Sequence, residues 1–161
     1  MSRPTILIQL DGDEHASVFD AVVATDAGVD RLLQYSRVEA TQVRDLVHGA
    51  MFTRGPADLK STAIFIGGAN VAKGEELLRQ VVRCFFGPMR VSVMMDANGA
   101  NTTAAAAVIA AGRHVDLAAS TATVLAATGP VGQRVVRLLA GRGAQVRVAS
   151  RDRSRAALVC E

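Results

Sequence analysis

Short apolar runs alternate with stretches of helical periodicity from one end of the chain to the other, the pattern of parallel strands joined by helical crossovers. Thr5-Ile6-Leu7-Ile8-Gln9-Leu10 reads as a first strand that empties into the acidic turn Asp11-Gly12-Asp13-Glu14. Ser17 then caps a helix to about Ala27, with Phe19, Val22 and Val23 expected on its buried side. A short strand at 31–35 and a helix over about 40–50 follow. Ser61-Thr62-Ala63-Ile64-Phe65-Ile66 reads as a buried strand closed by Gly67-Gly68. Asn70 opens a helix in which Leu77, Leu78, Val81, Val82 and Phe85 recur at helical spacing, and Gly87-Pro88 ends it. Residues 90–95 form another strand, which runs into the polar loop Asp96-Ala97-Asn98-Gly99-Ala100-Asn101-Thr102-Thr103. An alanine-rich helix continues from there to about Gly112.

From Thr123 to Arg134 the pattern changes character, because an apolar strand meets a glycine turn and then an amphipathic helix over 131–141. A second strand follows at 145–149. This is how a dinucleotide-binding unit begins. Gly129 is placed for close approach to a pyrophosphate, Gly132 for tight packing of helix on strand, and Pro130 for a first helical turn. The helix N-terminus adds unpaired N–H groups and partial positive charge. Ala127 stands where the first glycine of a GxGxxG usually falls, which weakens the match. At the end of the second strand an NAD-specific fold usually carries Asp or Glu; here the residues are Ser150-Arg151-Asp152-Arg153. Arginine forks and a serine hydroxyl suit a 2′-phosphate, so NADP is the expected cofactor. Its candidate binding residues are Thr128, Gly129, Pro130, Val131, Gly132, Ser150, Arg151 and Arg153. The fold class expected is α/β: an N-terminal parallel-sheet domain over 1–112, then an incomplete Rossmann-type nucleotide-binding unit over 113–161.

Composition narrows the picture. With 161 residues, 50% hydrophobic and 20% charged, the chain is globular in type and long enough for one small domain plus part of a second. The densest apolar window, 102–112, is too short to cross a bilayer, and the N-terminus leads into a strand with no cleavage-site pattern. No membrane association is expected, and a cytoplasmic location is. Cys84 and Cys160 fit neither a disulfide framework nor a zinc site, and His15, His48 and His114 match no metal spacing. The net charge of +3 conceals an acidic beginning and an arginine-rich end. Without interleaved aromatics or a recognisable nucleic-acid motif, those arginines read as a solvated helix face plus a phosphate site, and no nucleic-acid partner is expected.

Two groups of residues in the first domain are candidates for substrate contact. Asp20 lies one turn into a helix after Ser17, a spacing that plain capping also produces. Asp96, Asn98, Asn101, Thr102 and Thr103 crowd the carboxyl end of a strand, the edge at which open α/β sheets bind ligands.

With these residues in hand, the chain resembles the NADP-dependent methylene-tetrahydromethanopterin dehydrogenases of methylotrophic bacteria, from Ile6 to about Ala156. The most specific pieces are Ser17-Val18-Phe19-Asp20, Phe52-Thr53-Arg54-Gly55, the strand at 61–66 with its two glycines, Phe85-Phe86-Gly87-Pro88, Asn98-Gly99-Ala100-Asn101-Thr102-Thr103 and Thr128-Gly129-Pro130-Val131-Gly132. The resemblance implies a pterin-side domain, a Rossmann domain for NADP and an active site in the cleft between them. It implies hydride transfer to NADP from the methylene bridge of a tetrahydromethanopterin-type C1 carrier in one-carbon metabolism, leaving a cation delocalised over two nitrogens. Such chemistry needs orientation and electrostatics rather than proton abstraction, so no catalytic side chain is singled out. Asp20 and Asp96 would hydrogen-bond the pterin or favour the cation, and Asn98, Asn101, Thr102 and Thr103 would position substrate or nicotinamide. Family members continue through further Rossmann strands, so the chain is expected to be incomplete, a feeble dehydrogenase alone, and a homo-oligomer or dependent on a partner segment. Two other readings stand beside this one. A bifunctional methylene-tetrahydrofolate dehydrogenase/cyclohydrolase usually uses a lysine, and this chain offers just Lys60 and Lys73. A truncated, inactive binding or assembly module is the non-enzymatic alternative.

Overall fold

Four of the apolar runs become the strands of one parallel sheet: β1 (Ile6–Leu10), β2 (Arg31–Tyr35), β3 (Thr62–Ile66) and β4 (Ser92–Met95), in the order β2-β1-β3-β4. The computed structural model describes residues 3–160, which fall into two compact units divided between Asn98 and Gly99. This sheet and the helices α1 (Val18–Asp26), α2 (Val43–Phe52) and α3 (Val71–Arg83) make the first unit. In β3, Thr62, Ile64 and Ile66 are buried while their neighbours are half-buried, the two-residue period of a strand in a covered sheet. Leu10, Ile64 and Ile66 pack with Val43, Val47 and Met51 of α2 and Leu77 and Val81 of α3. Each such side chain contributes roughly 1.5–3 kcal/mol of burial, which holds the strand ends, and the loops beyond them, in fixed register.

The helix α1 departs from expectation. Phe19, Val22 and Val23, assigned to its buried side, are 77%, 54% and 50% exposed, and its buried residue is Ala24. Positions 18, 19, 22 and 23 do form one apolar face, but the face that meets the sheet carries the small residue. Periodicity locates a stripe; it does not say which stripe is covered. In α3, likewise, Val82 is 51% exposed because the buried stripe runs through Leu77 and Val81.

The second unit contains α4 (Ala100–Gly112), β5 (Thr121–Val124), α5 (Pro130–Ala140), β6 (Gln145–Val148) and α6 (Arg153–Val159). Ala100, Ala104 and Val108 recur every four residues and are buried, and this small-residue face lets α4 pack closely on α5. β5 and β6 pair in parallel across α5, giving the β-α-β start of a Rossmann-like unit. The division between units falls at the start of α4, whereas the sequence suggested a boundary at its end. Leu139 is buried against Val108 and Ala144, whereas Leu125 is 76% exposed. The polar stretch after β4 is not one loop. Ala97–Gly99 form a single 3-10 turn, and Asn101, Thr102 and Thr103 already lie in the first turn of α4. Asn98 (φ 54°) and Gly99 (φ 60°) both adopt the left-handed conformation, which Asn and Gly tolerate best and which turns the chain directly into the helix. The short helix α6 was not foreseen; Asp152 nucleates it by accepting from the N–H groups of Ser154 and Arg155. Among the described residues, no helix is long and apolar enough to cross a membrane.

Candidate functional site

The strand order of the first unit reverses between β1 and β3, because the chain runs from β1 outward to β2 and then returns to the other side of β1. Open α/β sheets bind ligands at such a reversal, beyond the carboxyl ends of the strands. There, β1 delivers Asp11 and β3 delivers Gly67-Gly68. Asp11 is fully buried: one carboxylate oxygen accepts from the Asp13 N–H at 2.8 Å and the other from the Ser17 N–H at 3.0 Å. Asp13 in turn accepts from the Ala69 N–H at 2.7 Å, tying the β1 loop to the β3 loop. The glycines are required by this carboxylate cluster. A Cβ on Gly67 would stand 2.7 Å from Asp20 Oδ2, and one on Gly68, whose φ is +93°, would stand 2.8 Å from Asp11 Oδ1.

Ser17 caps α1 as the sequence indicates, its hydroxyl accepting from the Asp20 N–H at 3.2 Å. The Asp20 side chain is thereby set against Gly67. Burial raises its pKa above the usual carboxylate value, the Ser17 hydroxyl opposes this, and the charges of Asp11 and Asp96 raise it further. Asp20 and Asp96, separated by most of the unit's sequence, therefore feel one another at the same sheet edge. Asn98 joins that edge through its backbone, donating to the Gly68 carbonyl at 2.7 Å. Asn101, by contrast, lies in the second unit, where its side-chain oxygen accepts from Nε of the buried Arg134. Thr102 and Thr103 are exposed on α4. The sequence marks Asp11 and Asp13 as an acidic turn and Gly67-Gly68 as the end of a strand, but does not mark them as site residues.

In the second unit the turn between β5 and α5 has the expected form. Gly129 precedes the helix and Pro130 occupies its first turn. A Cβ on Gly132 would lie 2.6 Å from the Ala126 carbonyl oxygen and 2.7 Å from Ala127 Cα, so this glycine permits the helix to abut the strand end. Ala127, at the usual glycine position, is fully buried, and the left-handed residue is the preceding Ala126, at φ 52°. Beside this turn is an open recess of about 720 Å³ lined by Leu125, Ala126, Thr128, Gly129, Ala149, Ser150, Arg151, Asp152 and Arg155. Thr128 and Ser150 approach across it, hydroxyl to hydroxyl, at 3.3 Å. Arg153 does not line it. It occupies the first turn of α6, and Arg155, two residues later, lines the recess instead. Pro130, Val131 and Gly132 also lie outside its lining, in the first turn of α5.

Residues 18–98 match the family described as methylene-tetrahydromethanopterin dehydrogenase, N-terminal, which is half of the chain. The chain belongs to this family. Two relatives come from Methylorubrum extorquens strain AM1. One, named bifunctional protein MdtA, is 48% identical over 103 residues, covering 64% of this chain and 36% of the relative. The other, named NAD(P)-dependent methylenetetrahydromethanopterin dehydrogenase, is 35% identical over 117 residues, covering 73% of this chain and 39% of the relative. The chain thus spans little more than a third of the length of each. The family match begins at α1 and ends at Asn98, so it contains Asp20, Gly67-Gly68 and Asp96, which converge at the sheet edge just described.

Proposed function

We propose that the chain forms the pterin-side domain and the opening of the nucleotide-binding domain of a cytoplasmic dehydrogenase, which moves hydride from the methylene bridge of a tetrahydromethanopterin-type carrier to NADP. Family membership supports the reaction, and the name of the second relative supports a nicotinamide nucleotide as acceptor. The observation that carries the choice of NADP is the recess beside Gly129, where Ser150, Arg151 and Arg155 are gathered. Two guanidiniums and a hydroxyl are the donor set that a 2′-phosphate requires, and the nearby Asp152 carboxylate is engaged in capping α6. The residues present therefore fit the group. When bound, NADP supplies a ring that accepts hydride. The chain's own part is to hold the pyrophosphate at the N-terminus of α5, with Gly129 and Thr128 at the turn, and to fix the 2′-phosphate through Arg151 and Arg155.

On the pterin side, Asp20 and Asp96 present negative charge at the sheet edge, suited to hydrogen-bonding donor groups of the ring and to favouring the cation that hydride loss leaves behind. Asn98, Asn101, Thr102 and Thr103 remain candidates for orienting substrate or nicotinamide, with Asn101 held by Arg134. The exposed apolar face of α1 supports a homo-oligomer. Calorimetric titration of the chain with NADP and NAD tests the cofactor reading. NADP is expected to bind more tightly, and Arg151→Ala or Arg155→Ala to lose about 1.5–3 kcal/mol for NADP alone. Equal affinities, or an unchanged preference in both variants, would overturn it.

A further inference from the structure

On the α3 side of the β1/β3 reversal lies a crevice of about 270 Å³, lined by Gly12, Asp13, Glu39, Gly67, Gly68, Asn70, Lys73 and Gly74. It is distinct from the α1 side, where Asp20 sits. Three connections that are remote in sequence build it: the loops after β1 and β3, and the segment joining β2 to α2, which contributes Glu39. Lys73 crosses it. The stem of Lys73 lies over Gly12, where a Cβ would come within 2.8 Å of its Cγ, and its ammonium pairs with Glu39 and, at 3.6 Å, with Glu76. Asn70 caps α3 by accepting from the Lys73 N–H at 3.1 Å, which fixes where that stem begins. Gly74 is itself closely packed, since a Cβ there would meet Ala97 Cβ at 3.0 Å.

The charge balance decides what this crevice can take. One ammonium stands with two lining carboxylates, Asp13 and Glu39, and pairs with a third, Glu76, outside the lining, so a phosphate or carboxylate is repelled more than it is attracted. A neutral group that offers several N–H donors and one acceptor fits both signs at once. Each carboxylate has about four acceptor positions, so neither the Ala69 bond to Asp13 nor the Lys73 bond to Glu39 exhausts them. The volume is below that of pockets that hold whole drug-sized ligands, and corresponds to one end of a ring system.

We propose that this crevice reads the 2-amino-4-oxopyrimidine edge of the pterin, with Glu39 and Asp13 accepting from its N–H groups and Lys73 donating to its ring carbonyl. The proposal rests on the reading that the first unit holds the carrier, and it makes Glu39 and Lys73 specificity-determining residues for the pterin head. Loading exchanges one of Lys73's carboxylate partners for the ring carbonyl, with Gly12 and Gly67-Gly68 contributing to the crevice wall.

Titration calorimetry on the full chain tests this with tetrahydromethanopterin, with 6-methyltetrahydropterin, and with the 2-oxo analogue of the latter, which lacks the amino donor. The parent chain is expected to bind both pterins and to bind the 2-oxo analogue roughly tenfold more weakly. Glu39→Gln is expected to weaken pterin binding by a similar factor and to erase the discrimination against the 2-oxo analogue. Lys73→Met is expected to weaken all three ligands. Pterin binding that survives Glu39→Gln with its amino-group discrimination intact would overturn the crevice assignment, while leaving the carrier reading in place. A parent chain that binds neither pterin would overturn both. Should Lys73→Met fail to fold, the isosteric Glu39→Gln and the analogue pair decide the matter.

Discussion

Asp20 shows how a single side chain couples burial to chemistry. Its folded-state pKa is raised, first by desolvation and then by Asp11 and Asp96, so the folded protein holds this proton more tightly than the unfolded chain does. The resulting stabilisation is complete below the unfolded value of 3.8 and is lost as pH rises through the folded value. Asp20→Asn removes that loss. The variant should unfold at higher urea concentration than the parent at neutral pH, and the advantage should shrink as pH falls through the folded value and be gone below the unfolded one. A difference independent of pH would mean that the carboxyl's charge is not what burial penalises. Gly132 makes a different kind of demand. Its missing Cβ would strike backbone rather than a movable side chain, so Gly132→Ala should cost about 1–3 kcal/mol of stability in the second unit. Gly129→Ala should cost less, since its nearest contact is at 3.4 Å. Urea unfolding followed by far-UV dichroism ranks the two.

At the scale of elements, what was legible in the sequence had local causes. Ser17 and Asn70 as caps, Pro130 as a first-turn residue, the strand at 62–66 and the β-α-β unit all follow from side-chain chemistry acting over a few residues. The face of α1 was not legible, because Val18, Phe19, Val22 and Val23 satisfy helical spacing whether or not anything covers them. Only the position of Ala24 against the rest of the unit settles it, and that is a tertiary fact. The polar run after β4 misled for a related reason: Asn and Thr suit both loops and first helical turns, and the left-handed pair Asn98-Gly99 decides in favour of a helix. Of the candidate site, Asp20 and Asp96 could be named from their strand and cap positions. Asp11, Asp13, Glu39 and Lys73 could not, since their relation depends on the order in which the strands are laid side by side. The exposure of α1 makes a direct prediction. In the monomer, Phe19→Ala should change stability by no more than about 0.5 kcal/mol, whereas Leu10→Ala, which empties a fully buried site, should cost about 2–5 kcal/mol. Equal losses in chemical denaturation would show that α1 is covered after all.

At the scale of the whole molecule, the two units are unequally built. In the first, β1, β3 and β4 send buried residues into a common core, while in β5 and β6 exposed and half-buried positions alternate. Amide hydrogen exchange should therefore be slowest in β1 and β3 and faster by orders of magnitude in β5 and β6. Equal protection would indicate that the second unit draws on contacts beyond its own core. The turn at Ala126 carries a consequence for how such chains drift over generations. Because its side chain is exposed and its backbone left-handed, position 126 filters substitutions by branching at Cβ rather than by size or polarity. In a saturation library, Gly, Asn and Asp should persist there and Val, Ile and Thr should vanish, an inheritance pattern dictated by one torsion angle.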